Sequence, residues 1–526
     1  MASSYSVKDM LLRQTIAEKV VFKTPSFANI SGLDTVLSSS DLQNEKTKGR
    51  QRKVSIPKSV ARIAGTPLVI VMCGLPARGK SYTSKKLCTY LSWVGFNVKT
   101  FNAGNKRREM MSGGGQSSDF FGAEGTSTLD YLASLAFNDL IAWLHKGGHV
   151  AVFDATNTTR ERRIFLIDRC KECHLPPPLF IECICTDKVI LEKNYRLKLG
   201  NNDYKDWDPE EAMKDFLERV KRYETRYQTI GEVEEDEIED LKYIKNFNVG
   251  KKMIVNNCTG WLSSQIVSIL QNFHVSPRRI LLCRHGESED YVLDKIGGDS
   301  ALTKNGKDFA IKLRDFVEKI RHQSPKSNED MDSEWDGHDR CCEVGPLVIF
   351  SSGLQRSLET IRPLRKLNKR PNWDQDERAC FPFDGSSSDE TENIPPADTD
   401  IDIFTTTALN EISAGVFDGM TYSEIKKTHP EQYAARINDK VSYRYPGGES
   451  YMDVVQRLQP IVHELERQKS DVLVVCHTAP IRLLLAYFLG KPVEDFVDEA
   501  IPMHSVFEIR PRAYGCDLIK HDLLTE

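Results

Sequence analysis

Two α/β domains in tandem are predicted, and three observations predict them. Short apolar runs alternate with helical periodicity twice along the 526 residues, with a break at Val275-Ser276-Pro277. A glycine loop, Gly74–Ser81, joins the first apolar run to the first helical stretch. The triplet Arg284-His285-Gly286 closes the first apolar run of the second block.

Before Pro67 the chain is Ser- and Thr-rich, poor in aromatics and basic toward its end, which predicts a disordered arm over 1–63. Arg52-Lys53-Val54-Ser55 sets Ser55 behind two cations, as basophilic kinases require, and equally suits an unmodified solvated tail. The first domain, 64–275, reads as strands at Leu68–Cys73, Val150–Phe153, Leu179–Ile184 and Lys252–Val255. Its helices fall at Lys80–Trp93, Thr128–Leu144, Arg160–Cys173 and Pro209–Tyr227. The second, 276–526, reads as strands at Arg279–Cys283, Leu347–Ser351, Ala408–Ile412, Val472–Cys476 and Val506–Arg510. Its helices fall at Asn305–Arg321, Leu354–Lys366, Ser450–Arg467 and Ala479–Leu489. This alternation predicts parallel sheets with helices on both faces. Two polar stretches, 322–345 and 370–406, read as surface insertions.

The net charge of −5 excludes a uniformly basic nucleic-acid binder. Pro371–Thr406 alone carries −9, which leaves +4 on the rest and keeps anionic small molecules in play as ligands. No apolar run approaches the roughly 18 residues of a membrane span, and no secretory signal is visible. The 13 cysteines are scattered through apolar segments, so a reduced, cytoplasmic protein is expected. Cys170, Cys173, Cys183 and Cys185 could form a zinc set, but Cys183 and Cys185 lie on an alternating strand where thiols pack as small hydrophobes.

Gly74-Leu75-Pro76-Ala77-Arg78-Gly79-Lys80-Ser81 has the spacing and the strand-to-helix setting of a phosphate loop. Its backbone N–H groups and the helix N-terminus attract phosphate oxygens, Lys80 reaches the β/γ-phosphates, and Ser81 can ligate Mg²⁺. Asp154 follows an apolar strand and so falls at the carboxyl edge of the sheet. There it can hold Mg²⁺ or steer an acceptor hydroxyl, and it can also cap the next helix. Cations at 106–108 and 160–163, with Lys198 and Arg219, suit a phosphorylated acceptor. By chemistry this domain is a small-molecule kinase that uses Mg²⁺ with its phosphate donor, and no tightly bound cofactor is expected.

In the second domain an imidazole beside a guanidinium can attack phosphorus while its neighbour grips two phosphate oxygens. Arg356, Glu411 and His477 are expected at three later strand ends. His285 then attacks, Arg284, Arg356 and His477 hold the equatorial oxygens, and Glu411 protonates the leaving alkoxide before activating water.

With both motifs in place, the chain resembles the bifunctional 6-phosphofructo-2-kinase/fructose-2,6-bisphosphatase family from about residue 64 to 520. The match is carried by Gly74–Ser81, Phe101–Glu109, Phe153–Arg163, Arg284–Ser288, Ile296–Ser300, Leu409–Tyr422, Tyr445–Tyr451 and Leu473–Leu489. The resemblance implies a P-loop kinase domain followed by a phosphoglycerate-mutase-like histidine phosphatase. It implies synthesis and hydrolysis of fructose 2,6-bisphosphate, through which glycolysis is controlled, and a cytoplasmic homodimer. It puts ATP on Gly74–Ser81, with Lys80, Lys198 and Asp154 at the transferring group. Fructose 6-phosphate meets Arg107, Thr156, Arg162, Arg219 and Tyr223. Fructose 2,6-bisphosphate meets Arg284, Gly297, Arg356, Tyr422, Arg436, Lys440, Tyr451, Thr478 and Arg482.

The chain departs from the family pattern in the kinase half. No Arg or Lys lies between Arg108 and Lys146, and Leu129 stands about where the family has a further phosphate-binding arginine. One lost charge-assisted contact costs about 1.5–3 kcal/mol. A phosphatase whose kinase domain is weak or only binds ATP is therefore the second reading.

Overall fold

The computed structural model describes residues 66–106, 123–200, 204, 207–322, 346–367, 401–512 and 515–524, and side chains of 123–129 and 366–367 are not described. Ser55, Arg107, the glycine run at 113–115, the Leu129 side chain and nearly all of both polar stretches lie outside this set.

Among the described residues twelve strands form two sheets. In chain order they are β1 (Leu68–Cys73), β2 (Val98–Asn102), β3 (Val150–Asp154), β4 (Leu179–Ile184), β5 (Lys242–Phe247), β6 (Lys252–Asn256), β7 (Ile280–Arg284), β8 (Leu347–Ser352), β9 (Ile401–Thr406), β10 (Asp471–Cys476), β11 (Ser505–Arg512) and β12 (Gly515–Asp522). The first sheet has the order β2-β3-β1-β4-β5-β6 and the second β12-β11-β7-β10-β8-β9. In the first, β1 to β5 are parallel and β6 is an antiparallel edge. In the second, β7 to β10 are parallel, β11 runs antiparallel to β7, and β12 runs antiparallel to β11 at the edge.

Strands covered on both faces read as unbroken apolar runs. In β1, Val69, Val71 and Cys73 enter one hydrophobic cluster and Ile70 and Met72 another. The cysteine set divides the same way: Cys170 lies in the first of these clusters and Cys183 in the second.

The second cluster continues into the second domain, through Leu282, Val455, Leu484 and Tyr487. The helix Lys80–Val94, which begins at the phosphate loop, packs between the sheets, and Trp93 Nε1 donates to the carbonyl of Leu483 at 2.9 Å. Glu466 is fully buried there and takes Lys86 at 2.6 Å, Tyr487 at 2.8 Å and Arg278 at 3.4 Å. A buried carboxylate needs such partners, since unpaired it would cost several kcal/mol.

Two expectations are corrected. The strand expected at Ala408–Ile412 is formed seven residues earlier, by Ile401–Thr406, inside the stretch read as an insertion; it pairs with β8. Glu411 follows a 3₁₀ turn, Thr407–Leu409, rather than ending a strand. The reason is the guanidinium of Arg457, which takes the carbonyls of Ala408, Asn410 and Glu411 at 2.5, 2.8 and 3.1 Å. No neighbouring strand receives them. Arg356, just past β8, lies on the helix Gln355–Ile361, within the helix expected at Leu354–Lys366. Strands β2, β5 and β12 were not anticipated.

Candidate active sites

Both sites open at the carboxyl ends of parallel strands, where loops diverge and leave a crevice. After β1 the chain turns through Gly74 at φ +126°, where a Cβ would lie 2.5 Å from the carbonyl oxygen of Cys183. Gly79, at φ +89°, starts the helix with no side-chain cap, so its N-terminal amides are left to a ligand.

Ser81 Oγ donates to Asp154 Oδ2 at 2.8 Å, and Asn102 Nδ2 donates to the same oxygen at 2.6 Å. Lys80 Nζ is folded onto the carbonyl of Leu75 at 2.6 Å. Burial, helped by nearby Lys198 and opposed by Asp154, brings its pKa down to about 8. Arg78 departs from expectation: its side chain turns to Tyr195 at 3.1 Å and Glu224 at 3.4 Å, bracing the loop against two helices, and does not line the cavity.

That cavity measures about 710 Å³ and is walled by Lys80, Ser81, Asp154, Thr156, Arg162, Lys198, Arg219 and Tyr223, all expected. It also takes Lys85, Asn102, Arg222 and Arg226, which sequence reading passed over. Asn102 ends β2, a strand too short and too mixed to read. The helix Ala123–His145 presents Asp130, Leu132 and Ala133 to this space, an acid and two apolar residues.

In the second site His285 follows β7. Its Nδ1 lies 2.7 Å from the carbonyl of Gly286, which can only accept, so Nδ1 carries the proton. Its Nε2 is the unprotonated nitrogen, and its one lone pair accepts from Arg356 Nε at 3.1 Å. Burial, then Arg356 and Arg284, hold the His285 pKa well below the usual histidine value. His477, fully buried, packs tilted against the His285 ring at 4.9 Å between centroids, and its Nε2 lies 2.7 Å from Ser352 Oγ. Burial and the neighbouring His285 and arginines keep it neutral as well.

Arg284 is anchored by the Ile501 carbonyl at 2.9 Å and lies over the Tyr291 ring at 5.1 Å. The carboxylate of Glu411 accepts the backbone N–H groups of Ile412, Thr478 and Ala479 at 2.9–3.0 Å, the last two at the start of the helix Thr478–Leu489. Arg457 pins the Glu411 backbone and is held by Glu449 at 2.8 and 3.1 Å.

The cavity over His285 measures about 560 Å³ and collects Arg284, Gly297, Arg356, Glu411, Tyr422, Arg436, Lys440, Tyr451, Thr478 and Arg482. Among its lining residues Arg436 donates to Tyr445 at 2.7 Å and Tyr422 at 2.9 Å, and Arg482 donates to Tyr451 at 3.0 Å. Lys440 pairs with Asp498 at 2.7 Å. Ser352, Arg457 and Glu449 were missed because their partners are distant in sequence.

A family model described as 6-phosphofructo-2-kinase matches residues 57–277, and one for the histidine phosphatase superfamily, branch 1, matches 388–523. Human 6-phosphofructo-2-kinase/fructose-2,6-bisphosphatase 1 is 39% identical over 490 residues, covering 90% of each chain. The chain belongs to that family. Rat 6-phosphofructo-2-kinase/fructose-2,6-bisphosphatase 3 is 40% identical over 486 residues, 90% of this chain and 76% of the rat protein. Among solved structures, a mycobacterial glucosyl-3-phosphoglycerate phosphatase is 21% identical, with a TM-score of 0.33 over 47% of this chain and 98% of its own. The phosphatase match begins after His285 and Arg356, and it is the pairing of β10 with β7 and β8 that sets His477 beside them. Among the described residues no helix is long and apolar enough to cross a membrane.

Proposed function

We propose that the chain makes fructose 2,6-bisphosphate from ATP and fructose 6-phosphate in its first domain, 64–275, and hydrolyses it in its second, 276–526. The observation that carries the hydrolytic half is His285 Nε2 beside Arg356 in a cavity that Arg436, Lys440 and Arg482 also line. Cations beyond those at the histidine suit a sugar with two phosphates. His285 Nε2 attacks the 2-phosphoryl group in line; the N–P bond forms as the bond to the sugar oxygen breaks. Arg284, Arg356 and His477 hold the equatorial oxygens, and Glu411 gives the departing oxygen a proton. Glu411 then takes a proton from water as its oxygen attacks phosphorus, which frees the histidine and phosphate.

In the kinase half ATP lies on Gly74–Ser81 with Lys80 and Lys198 at the transferring group. Arg162, Arg219, Thr156 and Tyr223 hold the sugar phosphate, joined by Arg107. The Ser81 hydroxyl and Asp154 carboxylate, 2.8 Å apart, are hard oxygen donors that fit Mg²⁺. Bound there, it would neutralise charge on the β/γ-phosphates. We place the enzyme in the cytoplasm as a homodimer, with Ser55 a substrate for a regulatory protein kinase. Support for a reducing compartment comes from the ten described cysteines, which are all free thiols.

A second reading, in which hydrolysis dominates, is favoured by the wall of Asp130, Leu132 and Ala133. The test supplies Mg²⁺, γ-labelled ATP and fructose 6-phosphate and follows label into acid-labile bisphosphate and inorganic phosphate. Both labelled products are expected. Hydrolysis of supplied bisphosphate without any sugar-dependent use of ATP would leave the second reading alone standing.

A further inference from the structure

Of the residues described along the kinase cavity, two are carboxylates. Asp154 is engaged by Ser81 and Asn102 at the nucleotide end. Asp130 has no such role in the proposed reaction. It is exposed to the cavity from the helix Ala123–His145, beside Leu132 and Ala133.

Arg162, reaching from the helix Arg160–Glu172, meets this wall. Its Nη1 donates to Ser134 Oγ at 3.3 Å, and Ser134 Oγ donates to the Asp130 carbonyl at 2.8 Å. Residues 130 and 134 are four apart and share a helix face, so the Asp130 carboxylate lies on the side that Arg162 addresses. Nη2 of Arg162 is buried without a hydrogen-bond partner, which leaves one prong of the fork to an incoming anion. Burial works against the charge on Arg162, and Asp130 supports it. From 109 to 145 the sequence has no Lys or Arg to offset Asp130.

We propose that Asp130 is a specificity-determining residue of the kinase half: its carboxylate competes with the acceptor's phosphate for Arg162 and repels that phosphate directly. Asp130 raises the concentration of sugar phosphate the kinase needs and leaves the handling of ATP untouched. This rests on fructose 6-phosphate being the acceptor, as proposed above.

The test compares the full-length protein with Asp130→Asn and Asp130→Lys, following ADP release that depends on fructose 6-phosphate. For Asp130→Asn the sugar KM is expected to fall about tenfold. For Asp130→Lys it falls further, with kcat and the KM for ATP unchanged in both. The gain shrinks at high salt, because it is electrostatic. An unchanged sugar KM in both variants overturns the proposal, and so does a kcat that moves in step with it. If the parent releases no sugar-dependent ADP, the kinase assignment fails by itself. Calorimetric titration of parent and Asp130→Asn with fructose 6-phosphate then decides: tighter binding by the variant upholds the role of Asp130, and equal or absent binding in both overturns it.

Discussion

Around His285 the reacting groups are already fixed by the protein. Arg356 holds Nε2, Gly286 fixes the tautomer, Ser352 orients His477, and Glu411 is seated on two amides of the next helix. Around the phosphate loop they are not: Lys80 is turned onto its own loop carbonyl at Leu75 and Asp154 is closed on Ser81. The contrast follows from the chemistry. A phosphatase that uses its own nucleophile must hold it ready, whereas a kinase joins two ligands and can leave Lys80 and Ser81 on resting partners until both are bound. On the function proposed above, the fold alone sets the second site and ligands complete the first.

The largest expected effects would break this division if they failed. His285→Ala should cut bisphosphate hydrolysis about 10⁴-fold or more and leave bisphosphate synthesis intact. Lys80→Ala should cut synthesis about 10²–10³-fold and leave hydrolysis intact. Loss of both activities in either variant would mean that the halves do not work separately.

Next in size is Arg457, a positioning residue that touches no substrate. Arg457→Met frees the loop carrying Glu411 and should lower kcat of hydrolysis about tenfold to hundredfold. The KM for the bisphosphate should stay near that of the parent, and label should build up on His285 as the water step slows. Arg457→Lys should recover part of the rate. A rise in KM with kcat kept would show that Arg457 serves binding instead.

The smallest effects are those of pH, and they sharpen the contrast. With its pKa near 8, Lys80 loses its proton as pH rises through that value, so kcat/KM for ATP should fall above it, toward about tenfold per unit. His285 and His477 are held well below the ordinary histidine value and stay neutral. Hydrolysis should therefore show no histidine inflection between about pH 6 and 7. An inflection there would mean that one of them takes up a proton in the free enzyme.

Much of this was legible in the chain. Apolar runs buried on both faces and glycines at fixed spacing are local signals, and they located β1, β3, β4, β7 and β10, the phosphate loop and His285. Glu411, expected at the site, lines the cavity over His285, although the strand expected around it is a 3₁₀ turn. The error came from Arg457, on a helix more than forty residues later, which withdraws the backbone carbonyls from any strand.

The sequence by itself determined the two α/β domains, their order, and the proposed nucleophile and phosphate loop, because these rest on periodicity and on residues adjacent in the chain. Only the tertiary structure decided the tautomer of His285, the outward turn of Arg78, the core shared through the helix Lys80–Val94, and the approach of Arg162 to the helix that carries Asp130. Each of these depends on burial and on partners brought together from distant positions, and it is burial that sets both the protonation of a side chain and the direction in which its charge is felt.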